Sequence, residues 1–375
     1  MKSYVLSAAV VAILAGTFLS CGKKSNEIII GGVAPVTGEA ATFGASTKNG
    51  FDLAIEEWNG KGGIDGKKLK LAFADDKGDP AEGATVFTKL IQQDKAVAIL
   101  GPVMSKVALA GAPICQAASI PMMASAATNP KVTLVGDYVF RACFIDPFQG
   151  TVGAKFALDE LKTKKAACIF DVGNDYTKGL SEFFKAKYTA LGGEVVAFEG
   201  HATGTTDFKA QLTKIIAAKP EILYVSDYYN DAALIAKQAR ELGFKGPMVG
   251  GDGWDSPKLS EIGGAAIEGG FFTNHYAADD TRPIVQEFVK KYKTKFGAEP
   301  DALAVLAYDG AYLMFDAIKR AGKLDGPSIK AALAATDMTV VSGQVKFDSD
   351  RNPVKSAVIV EVKNGKFVYR ATVNP

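Results

Sequence analysis

The chain has 375 residues with 48% hydrophobic and 22% charged side chains, a globular composition long enough for two domains that each bury a core. Forty-three basic side chains offset forty-one acidic ones, so the formal net charge is only +2. That balance excludes the basic face that a nucleic-acid partner demands.

Residues 1–20 read as a signal peptide: Met1-Lys2 supplies a short positive start and Tyr4 to Leu19 is almost entirely apolar. The run is too short to span a bilayer comfortably. It closes in Phe18-Leu19-Ser20-Cys21, which resembles a bacterial lipobox, with Phe18 standing where leucine is usual. That resemblance implies an acylated Cys21 at the mature N-terminus, a tether over 21–26 and attachment to a bilayer, which takes more than one acyl chain. No later segment approaches ~18 uninterrupted apolar residues, so the remainder is expected to be soluble.

From Ile28 to Val33 an apolar run reads as a buried strand, followed by Phe51, Ala54, Ile55 and Trp58 at helical spacing. Leu69 to Phe73 and Val97 to Leu100 are further strands, with the helical face Val86, Phe87, Leu90 and Ile91 between them. The pattern restarts after about residue 146. Strands are expected at 166–170, 194–198, 222–225 and 248–249, and helices through Phe208, Leu212 and Ile215, through Leu234 to Leu242, and over about 282–296 and 303–321. Repeated strand–helix order implies parallel sheets covered on both faces. Near the end, Val358 to Val360 and Phe367 to Tyr369 flank Asn364-Gly365, a strong hairpin signal. The fold class is α/β, with two doubly wound lobes whose ligands bind beyond the carboxyl ends of the strands.

Enzyme signatures are missing. His201 and His275 are the only histidines, and neither stands in a metalloprotease or nucleophile-elbow pattern; both are expected at the surface. Gly62 to Lys68 is glycine-rich without phosphate-loop spacing and reads as a turn into a strand. Asp348 to Asn352 imitates the start of a calcium loop, but Pro353 and Ile359 occupy the glycine and closing glutamate positions, so it too reads as a turn. Cys115, Cys143 and Cys168 have no metal-binding spacing, and an odd number cannot pair completely; buried free thiols are expected.

Positive signals lie where strands end. Ser105 follows Leu100-Gly101-Pro102-Val103-Met104, where a serine can cap a helix and free N–H groups suit a carboxylate. Ser125 to Pro130 offers Thr128 in a similar setting, and Asp252 stands among Gly250, Gly251, Gly253 and Trp254, a setting suited to an ammonium group. Singly, the Ser105 and Thr128 segments are more often a cap or a turn, and Asp252 is equally a solvated acid.

Together the segments resemble the periplasmic branched-chain amino-acid-binding proteins, the Leu/Ile/Val-binding family of the type I periplasmic-binding fold. The resemblance runs from about Glu27 to the C-terminus. It is carried by Gly32 to Gly38, Asn59-Gly60-Lys61-Gly62-Gly63-Ile64-Asp65-Gly66, Asp75 to Pro80, Ala127-Thr128-Asn129-Pro130, Asp175 to Gly179 and Asp207-Phe208. It implies lobe 1 over 27–145 plus 276–353 and lobe 2 over 146–275 plus 354–375, joined by a multi-strand hinge. Ser105 and Thr128 would then meet a ligand carboxylate within the loop that includes Ala126 and Ala127. The Ala126 carbonyl and Asp252 would hold the ammonium, with Tyr176 and Tyr228 on the second lobe. Phe43, Val103, Met104 and Tyr276 would line the side-chain pocket. Asp252 stands where well-known members have glutamate, Phe43 where a tyrosine is common, and Gly78 and Met104 where some members carry a cysteine pair.

The expected activity is capture of a small, apolar or branched-chain amino acid by hinge closure, for an ABC importer whose permease subunits are the membrane partner. No cofactor, metal or catalysis is implied. The chain is expected to be a monomer, exported to the periplasm or cell surface and lipid-anchored. A ligand-sensing receptor of the same fold, or a binder of urea and short amides, are the alternatives, and a hydrolase the more remote one.

Overall fold

The computed structural model describes residues 26–375; the apolar leader and Cys21 lie outside them. Lobe 1 begins with β1 (Glu27–Ala34), α1 (Ala41–Gly60), β2 (Lys68–Asp75), α2 (Pro80–Gln92) and β3 (Ala98–Leu100). It continues with α3 (Ser105–Ala117), β4 (Met122–Ala124), α4 (Lys131–Leu134) and β5 (Val139–Arg141). These strands form one parallel sheet in the order β2-β1-β3-β4-β5. The interior strands β3 and β4 are wholly buried, whereas the edge strand β2 is half-buried, as expected when helices cover both faces.

Lobe 2 holds α5 (Asp146–Lys155), β6 (Lys165–Asp171), α6 (Asp175–Ala190), β7 (Glu194–His201), α7 (Lys209–Ala217), β8 (Ile222–Val225) and α8 (Tyr229–Glu241). It continues through β9 (Met248–Gly250), α9 (Pro257–Gly263) and β10 (Phe271–Asn274). The chain then returns to lobe 1 with α10 (Pro283–Phe296), α11 (Ala302–Ala321), α12 (Gly326–Ala334) and the hairpin β11 (Asp337–Val340) and β12 (Gly343–Lys346). It ends in lobe 2 with β13 (Ala357–Lys363) and β14 (Lys366–Val373).

The second sheet has the order β14-β13-β10-β9-β8-β6-β7. Its strands β10, β9, β8, β6 and β7 are parallel, as expected, and the C-terminal hairpin is added at the β10 edge. β13 runs antiparallel to β10, and β14 antiparallel to β13, because a tight Asn364-Gly365 turn reverses the chain. Both turn residues have positive φ, 53° and 70°, as the predicted hairpin turn requires. Strands β5 and β10 and the β11–β12 hairpin escape sequence reading because each is a short run broken by polar residues, with neither a continuous apolar stretch nor enough alternation.

The two long helices of lobe 1, α1 and α11, pack closely, and Gly50 permits it: a Cβ there would lie 2.3 Å from the Ala304 carbonyl oxygen. Trp58 meets Tyr312 and Phe315 edge-on along the same contact, and Phe51 and Phe315 are fully buried. Replacing either phenylalanine by alanine should cost about 3–5 kcal/mol. The chain passes between the lobes three times, after β5, after β10 and after β12.

Candidate ligand-binding cleft

On lobe 1 the strand β3 leads into α3. Ser105 is the first helical residue and does not act as the cap, which is Met104 with no side-chain bond. Its hydroxyl instead accepts a hydrogen bond from the Asn129 N–H at 3.2 Å, tying α3 to the loop after β4. Arg141 at the end of β5 fixes that loop. Its guanidinium donates to the carbonyls of Ala127 at 2.6 Å and Asn129 at 2.9 Å, and to Thr133 Oγ1 at 3.2 Å. Thr128 Oγ1 is buried close to the Asp146 carboxyl but outside hydrogen-bonding geometry, so this hydroxyl is left without a partner. A buried hydroxyl in that state is a natural contact for a guest molecule.

On lobe 2 the loop after β9 forms a single 3-10 turn over Asp252–Trp254. Asp252 is 8% exposed, which sets aside the alternative of a solvated acid. Tyr176 donates its hydroxyl to Asp252 Oδ1 at 2.8 Å, and His275 Nε2 lies 3.0 Å from Oδ2. The Asp252 N–H donates to Gln149 Oε1 at 2.7 Å, and the Thr273 hydroxyl donates to the same oxygen at 2.7 Å. The flanking glycines have a packing reason. A Cβ on Gly251 would lie 2.6 Å from the Tyr176 hydroxyl, and one on Gly253 would lie 2.9 Å from the Tyr228 ring. Tyr176 and Tyr228 stack at 5.1 Å between centroids, and Tyr228 meets Phe43 of lobe 1 edge-on at 5.8 Å. An aromatic wall therefore runs across the cleft.

The lobes touch around this wall. Asn129 Nδ2 donates to the Asp175 carbonyl at 2.9 Å, and Tyr229 and Asn230 both donate to the Glu39 carbonyl at 2.7 Å. Asp255 of lobe 2 accepts the Ala302 N–H at the start of α11 at 2.7 Å. Burial shapes the charges here: it pushes the Asp146 carboxyl up to about 8, raises the Asp255 carboxyl, and draws the Lys355 ammonium at the hinge down to about 8.

Ser105, Ala126, Ala127 and Thr128 thus share one edge of lobe 1, and Tyr176, Tyr228 and Asp252 share the facing edge of lobe 2, with Phe43 reaching across. Val103 and Met104 are buried in the lobe 1 core. Met104 sulfur would lie 2.9 Å from a Cβ at Gly78, so those two positions are spatial neighbours. Tyr276 is buried at the hinge with its hydroxyl donated to the Pro300 carbonyl at 2.8 Å. Cys115, Cys143 and Cys168 are free and buried, as expected. The expectation of surface histidines fails: His201 and His275 are each only 2% exposed. Sequence reading also missed Gln149, Arg141 and Asp146. All are polar residues in or beside apolar runs, and only β5 and β10, too short to detect, would have placed them near Asp252.

Among the described residues, no group of three or more His, Cys, Asp or Glu side chains is arranged to hold a metal ion, and no helix is long and apolar enough to cross a membrane.

Residues 27–366 match the family model described as "Periplasmic binding protein". The Leu/Ile/Val-binding protein homolog 2 of Brucella abortus is 31% identical over 355 residues, covering 93% of this chain and 94% of that protein. The crystal structure of the leucine-binding protein LivK of Thermotoga maritima is 40% identical, with a TM-score of 0.89 over 93% of this chain and 99% of that one. An ABC-transporter solute-binding protein from R. palustris, solved with benzoate, is 26% identical with a TM-score of 0.85, covering 93% and 97%. These relatives are binding proteins rather than enzymes, and with that span of likeness the chain belongs to the periplasmic binding protein family.

Proposed function

We propose that this protein captures an apolar α-amino acid, of the leucine, isoleucine or valine class, between its lobes and delivers it to the permease of an ABC importer. The observation that carries the reading is the Asp252 carboxylate, buried and bonded to Tyr176 of the Tyr176–Tyr228 stack, with the unpartnered Thr128 hydroxyl on the other lobe. A buried carboxylate needs a positive partner, and a ligand ammonium supplies one. Ser105 and Thr128 then serve the ligand carboxylate, with the Ala126 carbonyl a further acceptor for the ammonium. Each charge-assisted hydrogen bond contributes roughly 1.5–3 kcal/mol. Phe43, Val103, Met104 and Tyr276 cover the ligand side chain, and burying it adds about 25 cal/mol per Å2. Contacts on both lobes make the closed form the one that binds.

The second reading is an aromatic acid, favoured by the stacked tyrosines and by the benzoate held in the R. palustris relative. Benzoate has no ammonium and would leave Asp252 facing a second anion, which argues against it. A thermal-shift screen of leucine, isoleucine, valine, benzoate, urea and short amides distinguishes the readings. Stabilisation by the branched-chain amino acids alone supports the first; stabilisation by benzoate or amides alone rejects it. We further propose that Cys21 is acylated and tethers the protein to a membrane as a monomer. Cys21→Ser should abolish labelling by a palmitate analogue, and equal labelling of both forms would count against the anchor.

A further inference from the structure

We infer that His275 is the positioning residue for the Asp252 carboxylate, and that a proton taken up by His275 competes with the ligand for that carboxylate. The inference rests on the amino-acid reading above and adds to it a residue that the family resemblance did not supply. Three bonds hold the acid in place. Tyr176 occupies Oδ1 and His275 occupies Oδ2, while Gln149 takes the backbone N–H and is itself held by Thr273. Thr273 lies in β10 and His275 at the bend that follows it, and both reach the Asp252 turn, Thr273 through Gln149 and His275 directly. The imidazole cannot swing away: it stacks on Phe144 with centroids 3.7 Å apart, and its own backbone N–H is bound by Asn274 Oδ1 at 2.9 Å.

The tautomer follows from chemistry. A carboxylate only accepts hydrogen bonds, so Nε2 carries the proton and Nδ1 keeps its lone pair. Nδ1 is buried and has no partner, so nothing in the protein stabilises a second proton there. The charged and titratable groups around the ring are Asp252 on the 3-10 turn, Tyr176 of α6 beyond it, Asp146 of α5 linked through Gln149, and Lys355 of the last crossover, with Asp279, Asp280, Arg282 and Tyr369 lining the cavity that His275 borders. Burial and the Lys355 charge both oppose an imidazolium, and Asp252 favours one. In the neutral form His275 orients the carboxylate while leaving it its full charge for an ammonium. Once protonated, the ring becomes an internal cation 3.0 Å from the same oxygen and replaces the guest.

The test is calorimetry with isoleucine between pH 8 and pH 5 on the wild type, His275→Gln and His275→Phe. Glutamine places an uncharged N–H donor near the Nε2 position; phenylalanine keeps the stack on Phe144 and removes the donor. Wild-type affinity should fall on the acid side of the ordinary histidine value of about 6.5, because burial and Lys355 hold the ring below it, with a limiting slope of about tenfold per pH unit. His275→Gln should bind within about threefold of wild type at pH 8 and lose that acid limb, and His275→Phe should be weaker by about tenfold throughout. Other carboxyls titrate in this range, so the difference between the profiles isolates the histidine. Parallel profiles for wild type and His275→Gln overturn the inference. Should the variants not fold, proton release can be measured on the wild type in buffers of different ionisation enthalpy. Release approaching one proton per isoleucine on the acid side and none at pH 8 supports the inference, and no release at either pH overturns it. Isoleucine that fails to bind wild type at pH 8 refutes the amino-acid reading instead, and the inference with it.

Discussion

Lobe 2 contains two histidine–aspartate pairs that look alike and differ in charge. His201 Nε2 meets Asp227 Oδ1 at 3.2 Å, and His275 Nε2 meets Asp252 Oδ2 at 3.0 Å, all four side chains being largely withdrawn from water. Burial works against a charged ring in both. At His201 the Asp227 bond, the Ala202 carbonyl 3.1 Å from Nδ1 and the nearby Asp171 outweigh it and push the imidazole up to about 8. At His275 no group meets Nδ1 and Lys355 adds repulsion, so the ring falls below its ordinary value. Burial pushes Asp227 upward too, so that pair holds its proton jointly. The partner of the second ring nitrogen therefore separates an imidazole that holds its proton together with Asp227 from a neutral donor that leaves an acid available to a guest.

The largest effect should come from exchanging the acids. Asp252→Asn should weaken isoleucine binding by two to four orders of magnitude, about 3–5 kcal/mol for an unpaired buried ammonium. Its amide still accepts from Tyr176, and His275 can accept from it after a tautomer change, so stability should stay within about 1 kcal/mol. Asp227→Asn should do the reverse, costing about 3–5 kcal/mol of stability in denaturant unfolding and leaving affinity within about threefold. Equal affinity losses for the two variants would remove the distinction between the pairs.

Tyr176→Phe is the next step down. It removes the donor to Asp252 Oδ1 and the acceptor for the Gly253 N–H, and calorimetry should read a loss of about tenfold to a hundredfold.

The His201 pair should appear in stability rather than binding. Its pKa is raised, so its contribution is fully present below the unfolded value of about 6.5 and is lost as pH rises through about 8. Denaturant midpoints should therefore decline over pH 6.5–8 in wild type and not in His201→Gln. The smallest effect is expected at the exposed lobe contact: Asn230→Ala removes one of two donors to the Glu39 carbonyl and should change affinity by about twofold or less.

Much of the architecture was legible in the chain. β1, β6 and β8 are continuous apolar runs because parallel strands are covered on both faces, and α1, α2 and α8 announce themselves by helical spacing. Asn364-Gly365 marked its hairpin because only residues tolerant of positive φ fit that turn. Cleft positions such as Ser105, Thr128, Tyr176 and Asp252 could be singled out from their strand-end settings or from family resemblance.

What those side chains do could not be read from local pattern. Ser105 looked like a cap and instead binds a loop 24 residues away. His275 and Gln149 meet at Asp252 from separations of 23 and 103 residues. Periodicity reports which face of an element avoids water, since burial of apolar area is summed over neighbouring residues. A hydrogen bond depends instead on the position of two atoms to within a few tenths of an ångström. Hydrophobic patterning thus determined the strands, helices and sheets from the sequence itself, while the hydrogen bonds around Asp252 were decided only when the folding of lobe 2 brought β10, α5 and α6 to the turn after β9.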